Sequence, residues 1–295
     1  MKSSYSQTTI WIMASRPKTL LAAFVPVIVG SSLAFMQGSF QPIAAFVALL
    51  CALLIQIATN FTNDLYDFLK GADNKKRVGP VRVLNAGLVT PEKMKFAIYL
   101  TFFMAFVLGL YLVYLTGTII LIVGIVSIIA GLAYTAGPYP LAYNGLGDIF
   151  VFVFFGVVGT VGTYYVQVQE ISALSFLASI PVGALITNIL VVNNYRDIDQ
   201  DRFTGKNTLA VKLGKTFSRY EYLILMISSF FVPFIFYIFY DISLWIFLPY
   251  LTLPLAYKLV IMLFELQGEQ LNSTLELTAK FSALYGLLFA IGIVM

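Results

Sequence analysis

Long apolar runs alternate with polar breaks along the whole chain. Nine runs are long enough to cross about 30 Å of hydrocarbon: residues 19–36, 41–60, 95–115, 118–135, 147–166, 173–192, 220–240, 243–263 and 276–294. Each is continuous rather than alternating, which predicts helices and not barrel strands. The pattern therefore predicts an all-α polytopic membrane protein with nine transmembrane helices. Residues 1–15 are polar with one Trp and read as interfacial. Four breaks are short: MQGSFQP, LTGT, VQEIS and YDIS. Two are long and polar, at about 61–94 and 193–219, and two more join the fourth run to the fifth and the eighth to the ninth.

Chemistry concentrates in the two long breaks. Residues 60–73 read NFTNDLYDFLKGAD and follow about twenty apolar positions without a charge. Asn60, Asp64, Asp67 and Gly71 recur at steps of four, three and four, so a helix presents them on one face. Carboxylates near a helix C-terminus are opposed by the macrodipole, and a divalent cation held by oxygen ligands would offset that. Residues 193–207, NNYRDIDQDRFTGKN, carry a second row: Asn193, Asp197 and Asp201. Asn60 to Asn193 and Asp64 to Asp197 are both 133 positions apart. The two rows end the second and sixth runs, which are parallel in a nine-helix chain. A single domain over 1–295 is expected, built of two pseudo-repeated four-helix units plus a ninth helix, with the acidic ends facing each other.

Composition narrows the function. The chain is 60% hydrophobic and 11% charged, against about 25% charged in soluble domains. It has no histidine, which removes the commonest general base, the usual zinc and haem ligands and every His-activated nucleophile. Cys51 is the one cysteine, lies in an apolar run and reads as a small buried hydrophobe. The first apolar run reads as a retained span and not a signal peptide. All 18 Lys and Arg fall in the N-terminal segment or at the four longer connections, none in the four short turns. That asymmetry predicts an integral membrane protein, in a cell membrane of bacterial type, with its N-terminus cytoplasmic and its C-terminus outside. A net charge of +4 requires no nucleic acid, because anionic headgroups suffice as partners for basic cytoplasmic loops.

Bases follow each acid row: Lys70, Lys75, Lys76, Arg77 and Arg82 after the first, Arg202, Lys206 and Lys212 after the second. Acids followed by bases suit a metal-bridged diphosphate, with carboxylates on Mg²⁺ and cations on the remaining oxygens. No GxxxxGK[ST] loop is present, which disfavours a nucleotide triphosphatase. A diphosphate site opening at a bilayer surface fits an isoprenoid donor, whose allylic cation aromatic faces would stabilise. Phe61, Tyr66, Tyr134, Tyr139, Tyr143 and Tyr195 lie near the inferred site.

Five stretches resemble the UbiA superfamily of intramembrane prenyltransferases, most closely its 1,4-dihydroxy-2-naphthoate polyprenyltransferases (the MenA type). They are RPKTL at 16–20, NDLYDFLKGAD at 63–73, GPVRVLNAGLVTPE at 79–92, YTAGPYPLAYNGLGDIFVFVFFG at 134–156 and NNYRDIDQDRFTGKNTLAVKLG at 193–214. The loop NKKRVG at 74–79 departs from the longer or more acidic versions common in the family. The resemblance implies Mg²⁺-dependent transfer of a polyprenyl group from polyprenyl diphosphate to 1,4-dihydroxy-2-naphthoate, with release of diphosphate and CO₂, giving demethylmenaquinone. It implies Asn60, Asp64 and Asp67 as ligands of one Mg²⁺, and Asn193, Asp197 and Asp201 on a second or in contact through water. Asp64, Asp67, Asp197 and Asp201 are the implied catalytic residues. Lys70, Arg82, Arg196 and Lys206 are candidates for diphosphate oxygens, Arg16 and Lys18 for the diphosphate or the acceptor carboxylate. Tyr139 and Asn144 are candidates for an acceptor lid. Asp73 or Asp201 would take a phenolic proton. Three alternatives stay open: a related enzyme acting on 4-hydroxybenzoate, homogentisate or haem, a cation-coupled transporter, and a CDP-alcohol phosphotransferase. Phe68 after Asp64-x-x-Asp67 breaks the last family's pattern. Prenyl length and oligomeric state are not encoded legibly.

Overall fold

A computed structural model describes residues 5–72, 79 and 81–295. Every regular element among them is helical. The order is α1 (Gln7–Ser15), α2 (Pro17–Met36), α3 (Pro42–Leu69), α4 (Pro91–Thr116), α5 (Thr118–Ala133), a 3₁₀ turn (Leu141–Tyr143), α6 (Gly147–Val168), α7 (Ala173–Phe203), α8 (Leu209–Tyr240), α9 (Leu244–Glu265) and α10 (Leu271–Val294). α2, α3 and α4 start with proline, whose missing N–H falls where a helix has no acceptor for it. Ser6, Thr90, Ser172 and Thr208 cap α1, α4, α7 and α8 with side-chain oxygens.

Among the described residues, eight helices are long and apolar enough to cross a membrane. The stretch expected to span at 118–135 is the 16-residue helix α5, about 24 Å at 1.5 Å per residue, so the count of nine full-length spans is not reached. Residues 1–15, expected only as interfacial, contain the helix α1. Its Ile10 and Ala14 are buried against Ala58, Phe61 and Leu65 of α3, and Trp11 meets Phe61 edge-on at 5.5 Å.

The two acid rows end helices of different standing. In α7, 72% of the most apolar window is buried, against 22% in α3, so α7 is the centre of the bundle and α3 one wall. α7 packs on α6, α8 and α10, and α3 on α4. In lipid, close helix packing depends on small residues. Where α6 crosses α7, a Cβ on Gly156 would stand 2.7 Å from the Gly183 Cα, and one on Gly183 would stand 2.9 Å from the Phe152 carbonyl oxygen. Phe152–Val158 forms a π turn at this crossing, a feature frequent beside functional sites. Gly183→Leu is expected to cost roughly 1–3 kcal/mol, because backbone must move to admit the side chain. A lower thermal midpoint of the purified variant in detergent would show this, and an unchanged midpoint would refute the close crossing.

Candidate active site

Asn60, Asp64 and Asp67 are all buried and line one cavity of about 1060 Å³ bordered mainly by α2 to α7 and α10. The i, i+4, i+7 spacing puts them on its polar end. Toward the N-terminal half of α3 the wall becomes apolar, with Ile55, Leu112, Ile120, Ile128, Phe154 and Val166. Asn60 Nδ2 donates to Ser15 O at 2.9 Å and Thr19 Oγ1 at 3.1 Å. Those two bonds fix the amide and leave its carbonyl oxygen as the atom available to a ligand.

Cations converge on this row. Arg82 Nη2 is 3.6 Å from Asp67 Oδ2, and Arg82 Nε is 3.9 Å from Asp64 Oδ1. Tyr143 donates its hydroxyl to Asp67 Oδ1 at 2.8 Å. Lys70 Nζ stands 4.2 Å from the Tyr143 ring centroid and Lys206 Nζ 5.5 Å from it. Lys206 also pairs with Asp201 at 3.9 Å. One phenol therefore joins the basic residues of both rows. Partial withdrawal from water lowers the Lys70 pKa, with Asp67 opposing and Lys206 adding to the shift.

The second row is arranged differently. The Arg196 guanidinium grips Asp197 with two bonds of 2.7 Å, donates to Asn193 Oδ1 at 2.9 Å and reaches Asn272 Oδ1 of α10 at 2.8 Å. Arg196 has no exposed side-chain surface. It was a candidate for diphosphate oxygens, but four of its five N–H groups already serve α7 and α10. The side chain turns inward, toward α7 and α10.

The remaining candidates divide. Arg16 and Lys18 line the cavity, and Lys18 is 2.5 Å from Glu276 Oε2. Lys70 donates to Thr135 O at 2.9 Å. Tyr139 is 61% exposed, whereas Tyr143, in the 3₁₀ turn, places its hydroxyl on Asp67. Asn144 donates to Pro140 O within its own turn. Asp73 lies outside the described residues. Two residues were outside the candidate set: Tyr143, named only as one nearby aromatic, and Asp148, which lies at the start of the apolar run 147–166.

Among the described residues no group of three His, Cys, Asp or Glu makes a ready metal cluster. The donor set of the first row nevertheless fits Mg²⁺, a hard cation that binds through one or two carboxylates and keeps waters. Asp64 and Asp67 supply the carboxylates, and Asn60 an amide oxygen. Asn193 and Asp197 fit less completely, since each already accepts from Arg196.

The chain is similar to known proteins over almost its full length. A model of the UbiA prenyltransferase family matches residues 23–284. The 1,4-dihydroxy-2-naphthoate octaprenyltransferase of Escherichia coli (strain K12) is 39% identical, covering 98% of this chain and 96% of that protein. In fold, the apo structure of a UbiA homolog from Aeropyrum pernix K1 aligns with a TM-score of 0.73 at 16% identity, over 94% of this chain and 98% of that one. A UbiA homolog from Archaeoglobus fulgidus bound to DMAPP and Mg²⁺ aligns at 0.66 and 14% identity, over 95% and 99%. With eight membrane-length helices among its described residues, the chain belongs to the UbiA prenyltransferase family and is an integral membrane prenyltransferase.

Proposed function

We propose that the protein transfers a polyprenyl group from polyprenyl diphosphate to 1,4-dihydroxy-2-naphthoate, releasing diphosphate and CO₂ and giving the prenylated hydroquinone, demethylmenaquinol, which oxygen oxidises to demethylmenaquinone. The observation that carries this reading is a cavity with one cation-lined acidic end and a long apolar remainder, in a chain 39% identical to a protein named for that reaction. The donor's diphosphate sits at the polar end and its tail along the apolar wall.

Bound Mg²⁺, held by Asn60, Asp64 and Asp67, would supply charge neutralisation for the departing diphosphate. Arg82, Lys70 and Lys206 take the remaining phosphate oxygens and hold the leaving group after the C1–O bond breaks with its electron pair. The Phe150 and Phe154 rings, stacked at 5.7 Å on the cavity wall, offer faces to the allylic cation. The electron-rich acceptor ring then bonds to C1. Loss of CO₂ returns an electron pair to the ring, so the exchange releases no net proton. That balance suits a chain without histidine.

Purified protein incubated with Mg²⁺, a polyprenyl diphosphate and dihydroxynaphthoate is expected to give the prenylated naphthohydroquinone, or the naphthoquinone formed from it in air, by mass spectrometry, and chelation by EDTA to abolish it. Product from 4-hydroxybenzoate or homogentisate, and none from dihydroxynaphthoate, would replace the assigned acceptor.

A further inference from the structure

Asp148 is a carboxylate that the reading above does not use. It stands in the first turn of α6, lines the cavity and is 4% exposed. Its Oδ2 has no hydrogen-bond partner, and among the described residues it enters no ion pair. A buried carboxylate oxygen left unbonded is costly, and persists where a ligand completes it. The surroundings describe that ligand. A Cβ on the preceding Gly147 would lie 3.1 Å from the Tyr134 hydroxyl, which sets a second polar group beside the acid. On the following turns of α6 the stacked Phe150 and Phe154 rings line the same cavity. A hydrogen-bond acceptor beside a phenol and aromatic faces matches a flat ring bearing hydroxyl groups.

Resting on the proposed function, we infer that Asp148 binds the aromatic acceptor, its Oδ2 accepting a hydrogen bond from a ring hydroxyl. Of the two substrates only the acceptor has such a donor. The prenyl tail has none, and the diphosphate is an anion that a second carboxylate repels. The same repulsion turns the acceptor's own carboxylate away from Asp148. A hydrogen bond from the hydroxyl to a carboxylate also enriches the ring in electron density, which favours attack on the allylic carbon.

The test measures dihydroxynaphthoate KM, polyprenyl diphosphate Kd, and inhibition constants of naphthoates lacking one hydroxyl, for the wild type, Asp148→Ala and the isosteric Asp148→Asn. Asp148→Ala is expected to raise the acceptor KM by about 10- to 100-fold, with donor Kd unchanged within twofold. The analogue lacking the engaged hydroxyl is expected to bind wild type and variant equally. An unchanged acceptor KM would overturn the inference. So would an equal loss for donor, acceptor and both analogues, which marks a structural role. Should Asp148→Ala not fold, Asp148→Asn decides, with an expected rise of about tenfold. Absence of wild-type product from dihydroxynaphthoate would sink the proposed function instead. The same comparison with the hydroxyarene that is used then tests Asp148.

Discussion

Asp64→Ala is expected to lower turnover by roughly 10²- to 10³-fold while the protein still inserts and purifies. Asp64 sits in the middle of the acid row, with a carboxylate 3% exposed and Arg82 3.9 Å away. Removing it takes one of two carboxylates from the oxygen set of the first row, so the Mg²⁺ concentration giving half-maximal rate should rise as the rate falls. Asp67 keeps Arg82 at 3.6 Å and Tyr143 at 2.8 Å, so the fold should hold. Asp64→Asn preserves shape and one oxygen but not the charge, and should lose most of the activity too. Turnover within a few-fold of wild type, at unchanged Mg²⁺ dependence, would remove the first row from the chemistry.

Arg196→Ala is expected to act on folding before it acts on rate. Truncation leaves Asp197 without its two 2.7 Å bonds, and Asn193 and Asn272 without their donor. Breaking a buried ion pair on one side typically costs about 3–5 kcal/mol, enough to collapse the yield of folded protein or its thermal midpoint. Arg196→Lys should rescue little, because one ammonium cannot span two carboxylate oxygens and two amides at once. Lys206→Ala, by contrast, should weaken donor binding at a near-normal midpoint. A folded Arg196→Ala protein with an unaltered midpoint and only weaker diphosphate binding would return Arg196 to the phosphate site.

These two residues also mark where sequence reasoning reaches and stops. The acid row of α3 was legible because carboxylates at helical spacing beside apolar spans are rarely idle, and its position at one end of a cavity follows directly. The helical content was legible from continuous apolar runs. The side-chain bonds of Arg196 were not legible, for a geometric reason. Neighbours at i and i+1 on a helix do not face each other, so nothing in the pattern indicates that a guanidinium folds back onto the next residue. The choice of Tyr143 over Tyr139 depends on the 3₁₀ turn that holds Tyr143, and both tyrosines have the same composition around them. Asp148 carries no periodic signal. Its meaning comes from burial, which only the packing of α6 against the cavity supplies.

The short helix α5 affects its host membrane. At about 24 Å it falls short of a hydrocarbon layer about 30 Å thick, a deficit relieved by local thinning of the bilayer at a fraction of a kcal/mol per Å. Ile119, Ile122 and Ile129 face outward from this helix, while Leu121, Gly124 and Ile128 border the cavity. This short wall is separated from the reaction chamber by the thickness of one helix. Membranes of different thickness should load that wall differently, which makes bilayer composition a physical variable of the enzyme alongside its substrates.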